Sequence, residues 1–423
     1  MCYFPKLVVI ASLTGLYSCY SGYSVVKPQK SYQPISPDTS ITQQGNVIDN
    51  ADIFLAALPE ATPNRELLAQ SWYSYRQRFI QNDGRVIDYE ASDRSTSEGQ
   101  AYAMLRAVLI NDPATFTKTL NWAENNLQRL QEDGKKIDNL WSWKWGKKSD
   151  GSWGAIDNNF ASDGDIDAIT SLIFAARRWN RPQYLQLAKT KLQDLWRFST
   201  VVGVGGKRYL LPGPAKAFVS NESTIYLNPS YLAPYAFRLF AQVDPEHDWL
   251  SLVDSSYQVL EKSAKFSKVN LPSDWVALDT KTGEFKKLPQ SKNIETLYSF
   301  DAYRVWWRLA LDATWFKSAR AKGYLTSSTK HLQKLWQQKS HISARIDLEG
   351  KGLVEYEATS QYAMLYPAMK IVAPKIAEEI LNQKLLPKYK QGIWDDYSAY
   401  YTQNLAWLGI LPSSLVPEKL LKL

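Results

Sequence analysis

From about Ala51 onward, apolar residues return at the spacing of one helix face, and they do so in consecutive pairs of segments. Gly99 to Ile110 sets Ala101, Met104, Leu105, Val108 and Leu109 at i, i+3, i+4, i+7 and i+8, a stripe that needs another helix to cover it. Asp112-Pro113 opens a second segment through Phe116, Leu120, Trp122 and Leu127, with Asp112 as the expected N-cap and Pro113 in the first turn. Asp165 to Trp179 repeats the theme, and Arg181-Pro182 restarts it through Tyr184, Leu187 and Leu192. Further pairs fall near 229–241 and 247–263, 294–312 and 313–327, and 357–373 and 375–386, before a closing helix at 396–409. Segments of roughly 10–18 residues joined by short connections read as helical hairpins, and a series of them in one domain points to an all-α toroid of paired helices. Long loops interrupt the scheme near 133–163, 200–227 and 264–293, with a brief strand-like run at Lys207–Leu211. Function is expected in those loops, on one face.

The first fifty residues follow other rules. Lys6 is the one charge before Lys27, and it precedes the apolar run Leu7–Leu16, which is short for a bilayer span and reads as a signal-peptide core over 1–19. Leu16-Tyr17-Ser18-Cys19 resembles a bacterial lipobox, with Leu at −3, a small residue at −1 and a cysteine to take the lipid. Tyr17 at −2 is atypical, so lipid anchoring through Cys19 and ordinary secretion both stay open. Residues 20–50 are rich in Ser, Gln, Pro and Asn and read as a flexible linker, which leaves 51–423 as the folded unit. The expected location is secreted, periplasmic or cell-envelope.

Composition narrows the chemistry. Both cysteines, Cys2 and Cys19, lie in the leader, so the folded part has no disulfide and no thiolate metal site. The three histidines (His247, His331, His341) form no His-x-x-x-His pair, which argues against a metal centre. A net charge of +8 is scattered rather than gathered on a helix face, so nucleic acid is not an expected partner. Tryptophan and tyrosine, 16 and 25 against 14 Phe, are abundant, and their flat faces with polar edges suit sugars as well as a large core.

Three acidic positions stand out. Glu98 in Ser95-Thr-Ser-Glu98-Gly99-Gln100 opens an amphipathic helix, where Ser95-x-x-Glu98 also reads as a capping box. Asp163, Asp165 and Asp167 alternate in Ala161-Ser-Asp-Gly-Asp-Ile-Asp167, but Ala168 stands where a calcium loop needs glycine, and at least one of the first two is expected to cap a helix. Asp301 and Arg304 lie three apart beside Trp306 and Trp307, as a surface ion pair or as a polar pair facing a cleft.

The segment Ala161–Trp179, ASDGDIDAITSLIFAARRW, closely resembles the signature of glycoside hydrolase family 8. One departure, Ala168-Ile169 where the family has Ile or Met then Ala, lies inside the helix and concerns packing. Ser97-Glu98-Gly99-Gln100, Trp141-Ser-Trp143-Lys-Trp145-Gly146, Asn228–Pro234, Phe300–Arg304 and Tyr400–Trp407 resemble the family in the same order, from about residue 68 to 410. The resemblance implies an (α/α)6 barrel with a cleft across one end and hydrolysis of a β-1,4-glucan with inversion. It implies Glu98 as general acid, kept protonated by burial or by a carboxylate such as Asp163, and Asp301 as general base, kept ionised by donors such as Arg304. Asp163 would bind hydroxyls of the distorted sugar, Tyr231 the attacking water, and Trp143 would stack on a glucose ring. Trp141 or Trp145 would do the same or pack in the core. Neither metal nor organic cofactor is required. The overall look resembles bacterial endoglucanases associated with cellulose synthesis, acting as monomers on soluble or nascent glucan, with xylan, chitosan and mixed-linkage glucan as the alternative substrates. A catalytically inactive glucan-binding protein is the rival from another class.

Overall fold

A computed structural model describes residues 51–220, 223–288 and 294–422. The signal peptide, Cys19 and the linker to residue 50 lie outside the described residues. The helices are α1 (Ala51–Ala57), α2 (Arg65–Phe79), α3 (Ser97–Leu109), α4 (Pro113–Asn126), α5 (Ser162–Trp179), α6 (Pro182–Ser199), α7 (Ala215–Phe218), α8 (Pro234–Val243), α9 (Trp249–Ala264), α10 (Tyr303–Trp315), α11 (Ala319–Ser328), α12 (Lys330–Lys339), α13 (Thr359–Val372), α14 (Pro374–Ile380), α15 (Tyr400–Ile410) and α16 (Glu418–Leu421). Helices α3, α5, α8, α10, α13 and α15 pack each on the next, and α15 returns to α3, closing an inner ring. Their sequence neighbours α4, α6, α9, α11, α14 and α2 pack outside them, one against each. The protein is an (α/α)6 barrel.

The expected hairpins are therefore present, with local differences in where they start. Asp112 caps α4 through Thr115 N at 3.0 Å and Pro113 occupies the first turn, as the residue types require. The segment expected from 229 begins at Pro234, because Asn228 instead caps a 3₁₀ turn over Pro229–Tyr231. The segment expected from 294 begins at Tyr303, and the residues before it form a loop. The aromatic excess is largely core: eleven of the 16 tryptophans are buried, and Trp153 alone among them is well exposed.

The two ends of the barrel are unlike. Connections from an inner helix to its outer partner are short, such as 110–112, 180–181 and 316–318. Connections from an outer helix to the next inner one are long: 80–96, 127–161, 200–233, 265–302, 340–358 and 381–399. The sequence marked three of these six. They carry the short antiparallel strands β1 (Ser95–Thr96), β2 (Gln128–Leu130), β3 (Lys136–Trp141), β4 (Lys144–Lys147), β5 (Trp153–Asp157), β6 (Thr200–Val202), β7 (Arg208–Leu210), β8 (Thr224–Leu227), β9 (Val276–Asp279), β10 (Phe285–Lys286), β11 (Tyr389–Lys390) and β12 (Ile393–Trp394). Strand orders are β1-β4-β5, β10-β9-β8 and the pairs β2-β3, β6-β7 and β11-β12. All six long connections end at the N-terminus of an inner helix, so one face gathers the loops and the positive ends of six helix dipoles.

Closure of the ring depends on a close approach at Gly409, where a Cβ would stand 2.0 Å from the Ala363 carbonyl oxygen across α13 and α15. Gly409→Ala is expected to force these helices apart and to destabilise the fold by about 1–3 kcal/mol or more, read as a lowered urea midpoint. An unchanged midpoint would show that the ring yields there.

Candidate active site

The Glu98 segment is placed by a seam between two loops. Strand β1 pairs with β4, setting Ser95 opposite Trp145 and Thr96 opposite Lys144, and Ser97 N donates to Trp143 O at 3.1 Å. Thr96, not Ser95, caps α3, its hydroxyl accepting from Gly99 N at 3.0 Å. Ser95 Oγ donates instead to Val86 O at 2.6 Å. The capping box is thus not formed. Glu98, the second residue of α3, sends its carboxylate to Arg304 Nη1 at 2.7 Å and accepts from the Tyr400 hydroxyl at 3.1 Å.

Asp163 is likewise second in its helix, α5, and neither it nor Asp165 caps that helix: Ala161 stands at the cap. Asp163 Oδ2 meets Arg304 Nη1 at 2.8 Å, and Asp165 turns away to accept from Trp141 N at 3.1 Å. Gly164 makes this approach tight, since a Cβ there would stand 2.7 Å from Ser97 Oγ. Asp301 lies in the turn before α10, where its Oδ1 accepts from Arg304 Nη2 at 2.8 Å and its Oδ2 from Trp275 Nε1 at 3.1 Å. Arg304 Nη2 also donates to Ser230 Oγ at 3.0 Å. One guanidinium therefore holds Glu98, Asp163 and Asp301. The pair of Asp301 and Arg304 is no surface ion pair, because Arg304 is only 2% exposed.

Exposure separates the three carboxyls. The side chains of Glu98 and Asp301 are 19% and 24% exposed, while that of Asp163 is 3% exposed. Burial pushes the Asp163 carboxyl up to about 7, opposed by Arg304 and reinforced by the charge of Glu98. Burial does the same to Asp165, pushed up to about 8, and to Asp274, pushed up to about 7 with Asp301 adding to it. Tyr231 lies with its ring 5.3 Å from the Arg304 guanidinium, and its hydroxyl is raised well above its ordinary value by burial and by Asp163. One helical turn deeper, Arg308 on α10 meets both oxygens of Asp167 on α5 at 2.9 Å and donates to Ser230 O at 2.8 Å.

The three aromatic candidates of the Trp141–Trp145 loop part company. Trp143 is half-buried beside the seam that positions Glu98, with Arg94 and Lys144 at 6.0 and 5.7 Å from its ring. Trp141 is 1% exposed and its indole donates to Glu124 at 2.9 Å, so it packs in the core. Trp145 is enclosed by Trp122 and Trp153, with Arg85 against its ring at 4.6 Å, and packs rather than presenting a free face. The β3 strand before Trp143 is fixed by buried ionic groups, with Lys191 donating to Asn139 O at 2.6 Å and pairing with Glu124 at 2.6 Å. Reading the sequence missed Tyr400, Ser230, Asp274 and Trp275 as site residues. The last two were signalled only by an acid beside a tryptophan inside a long loop. Among the described residues, no group of three or more His, Cys, Asp or Glu is arranged to hold a metal ion.

Known proteins resemble this chain in sequence and in fold. The family profile described as Glycosyl hydrolases family 8 matches residues 41–411. An endoglucanase of Xanthomonas axonopodis pv. citri is 38% identical over 246 residues, 57% of this chain and 60% of that protein. An endoglucanase of Escherichia coli K12 is 31% identical over 263 residues, 62% of this chain and 67% of that protein. The chain thus spans 60% of the length of the Xanthomonas relative and 67% of that from Escherichia coli. Among solved structures, the endo-1,4-D-glucanase from Vibrio fischeri ES114 superimposes with a TM-score of 0.68 at 28% identity, covering 80% of this chain and 93% of that one. A cold-adapted family 8 xylanase shares the fold, with a TM-score of 0.64 at 20% identity over 82% of this chain and 91% of that one.

Asp163 gives this site a pH signature in stability. Its folded value of about 7 lies above the unfolded value of about 3.9, so the folded chain holds a proton that the unfolded chain has released. Its contribution is fully present below about pH 4 and is lost as pH rises through 7. Asp163→Asn is expected to narrow the gap between urea midpoints at pH 5 and pH 8, and an unaltered gap would show that Asp163 does not titrate in this window.

Proposed function

The chain belongs to glycosyl hydrolase family 8, and from that premise we propose that it is an endo-acting hydrolase of β-1,4-linked glucan, inverting the anomeric centre. The observation that carries the reading is the Arg304 fork, which presents two accessible carboxyls, Glu98 and Asp301, from its two terminal nitrogens. The two carboxyls bind different terminal nitrogens of Arg304 rather than each other, and the reading takes them as an inverting pair, whose groups stand about 6.5–9.5 Å apart with a water between them. Glu98 donates a proton to the departing glycosidic oxygen as the C1–O bond breaks. Asp301 takes a proton from the water whose oxygen bonds to C1. Both side chains are already held by Arg304, so little reorganisation is needed when charge develops.

Asp163, at the buried side of the fork, hydrogen-bonds hydroxyls of the sugar at the cleavage point. Tyr231 orients the water, and Trp143 stacks on a glucose ring. The names of the relatives support glucan over xylan. The same reading puts the chain in the cell envelope or outside the cell as a monomer, led there by the signal core and held through Cys19, acting on soluble or nascent glucan near a cellulose-synthesis complex.

Reducing-sugar release from carboxymethylcellulose, lichenan, xylan and chitosan, with the product anomer followed by proton NMR, tests the activity. Rapid cleavage of the cellulose derivative with the α-anomer first is the expected result, and no release from any substrate would favour a glucan-binding protein. Glu98→Gln and Asp301→Asn are each expected to lower kcat by about 10²–10⁴ with the fold intact. Wild-type rates in either would withdraw that residue's role. Trp143→Ala is expected to raise KM by about five- to tenfold, roughly 1 kcal/mol of stacking, with a smaller effect on kcat.

A further inference from the structure

We propose that the adjacent residues Asp274 and Trp275 position the general base, Trp275 by a direct hydrogen bond to the Asp301 carboxylate and Asp274 by gathering the backbone of the turn that carries it. The inference rests on the reading of Asp301 as the base and adds how that base is aimed.

Asp301 sits in a loop turn rather than in a helix, so no helical hydrogen-bond ladder fixes it. The residues on either side of it converge on one carboxyl. Asp274 Oδ1 accepts from Ser299 N at 3.1 Å and from Ala302 N at 2.7 Å, and its Oδ2 accepts from the Ser299 hydroxyl. Two amides and one hydroxyl, spread over residues 299–302, are satisfied by a group that itself never reaches the cleft. Asp274 N in turn donates to Leu297 O at 2.7 Å, which ties the start of the same loop to it. Burial and the charge of Asp301 push the Asp274 carboxyl up, so its place here is a strain on the fold that three donors offset.

Trp275 completes the hold. Its indole is 1% exposed and lies parallel to Phe218, at 5.9 Å and 6° between planes. Together with Ala277, Leu288 and Ile294 it forms an apolar cluster separate from the main core. That cluster fixes the direction in which Nε1 points, which is at Asp301 Oδ2. Each oxygen of the base then has one donor, Arg304 on Oδ1 and Trp275 on Oδ2. Each keeps a lone-pair direction for water. The charged and titratable groups facing Asp301 are Arg304, Asp274, Tyr231 and Tyr401.

The test uses the full chain on carboxymethylcellulose with three variants. Asp274→Ala removes the acceptors, and kcat is expected to fall by about 10²-fold with little change in KM, the penalty of a base misplaced by about 1 Å. Asp274→Asn keeps an oxygen for the two amides and offers its NH₂ to Ser299 Oγ, so it should restore most of kcat. A purely structural role would give no such rescue. Trp275→Phe keeps the stacking on Phe218 but removes a donor that favours the ionised base, so the acid limb of kcat/KM should move to higher pH. Wild-type kcat in Asp274→Ala, or equal losses in the alanine and asparagine variants, would overturn the role of Asp274. An unmoved acid limb in Trp275→Phe would overturn that of Trp275, and this variant decides if Asp274→Ala does not fold. Crystal structures of the variants decide the point apart from turnover: residues 299–302 should shift in Asp274→Ala and stay in Asp274→Asn. If the wild type cleaves no glucan, the functional reading fails while the positional claim still stands or falls on those structures.

Discussion

A buried guanidinium is the constraint on which the rest of this structure depends. Arg304 lies 2% exposed among helices, and stripping a cation of water costs several kcal/mol unless its donors are met. Here the two terminal nitrogens are met, largely by residues far away in sequence: Glu98 at a separation of 206, Asp163 at 141 and Ser230 at 74, with Asp301 close by at 3, while Nε has no hydrogen-bond partner among the described residues. The three distant contacts exist only when the inner ring closes. The charge that would destabilise an open chain therefore rewards the closed one, and it fixes the relative position of three carboxyls at the same time. Arg308 and Asp167 repeat the arrangement one turn below, four residues on from Arg304 and Asp163 in their respective helices. The upper pair faces the cleft and the lower pair braces it from within.

Direction along the barrel decides where such a cluster is tolerable. Because every long connection leads into the N-terminus of an inner helix, the loop face also receives the unpaired amides and partial positive charge of those helices. Glu98 and Asp163 stand in the first turns of α3 and α5, where a carboxylate is favoured. Burial works in the opposite sense on Asp163, and with Glu98 beside it the balance falls towards the protonated form until about pH 7. At the other end of the barrel the connections are too short to build a cleft, and the same carboxyls would meet the negative ends of the helices.

Much of this was legible from residues alone, and what was not has a common cause. The helical hairpins follow from apolar periodicity, and Asp112-Pro113 announced its helix start correctly. Glu98, Asp163 and Asp301 were marked by local context, though Ser95 as a cap was not realised, because β-pairing to Trp145 and a bond to Val86 O engage that residue. Trp141 and Trp145 carry no local sign of which face they take. Trp141 is drawn inward by Glu124 and Asp165, which lie 17 and 24 residues away. Asp274 and Trp275 were passed over for the same reason: their meaning lies in residues 299–302, about 25 positions further on. Periodicity reports on a neighbour one turn away, and these partners belong to loops that only the finished ring brings together.

The two accessible carboxyls share one arginine, so Arg304 cannot be what would set the proposed acid, Glu98, apart from the proposed base, Asp301. Beside their different carboxyl neighbours, Asp163 and Asp274, the second oxygen of each offers a further difference. Glu98 Oε1 faces the hydroxyl of Tyr400, and that hydroxyl also lies 3.4 Å from Thr96 Oγ1, with either atom able to donate. A phenol both gives and accepts, so when Glu98 carries a proton Tyr400 can turn its own hydrogen to Thr96 and accept from the acid. Asp301 Oδ2 faces an indole N–H, which can only donate. A proton on that oxygen would meet another hydrogen, and the ionised form is the one this partner stabilises. The neighbour of Glu98 accommodates both protonation states and the neighbour of Asp301 favours one, an asymmetry that suits the acid and base proposed for them.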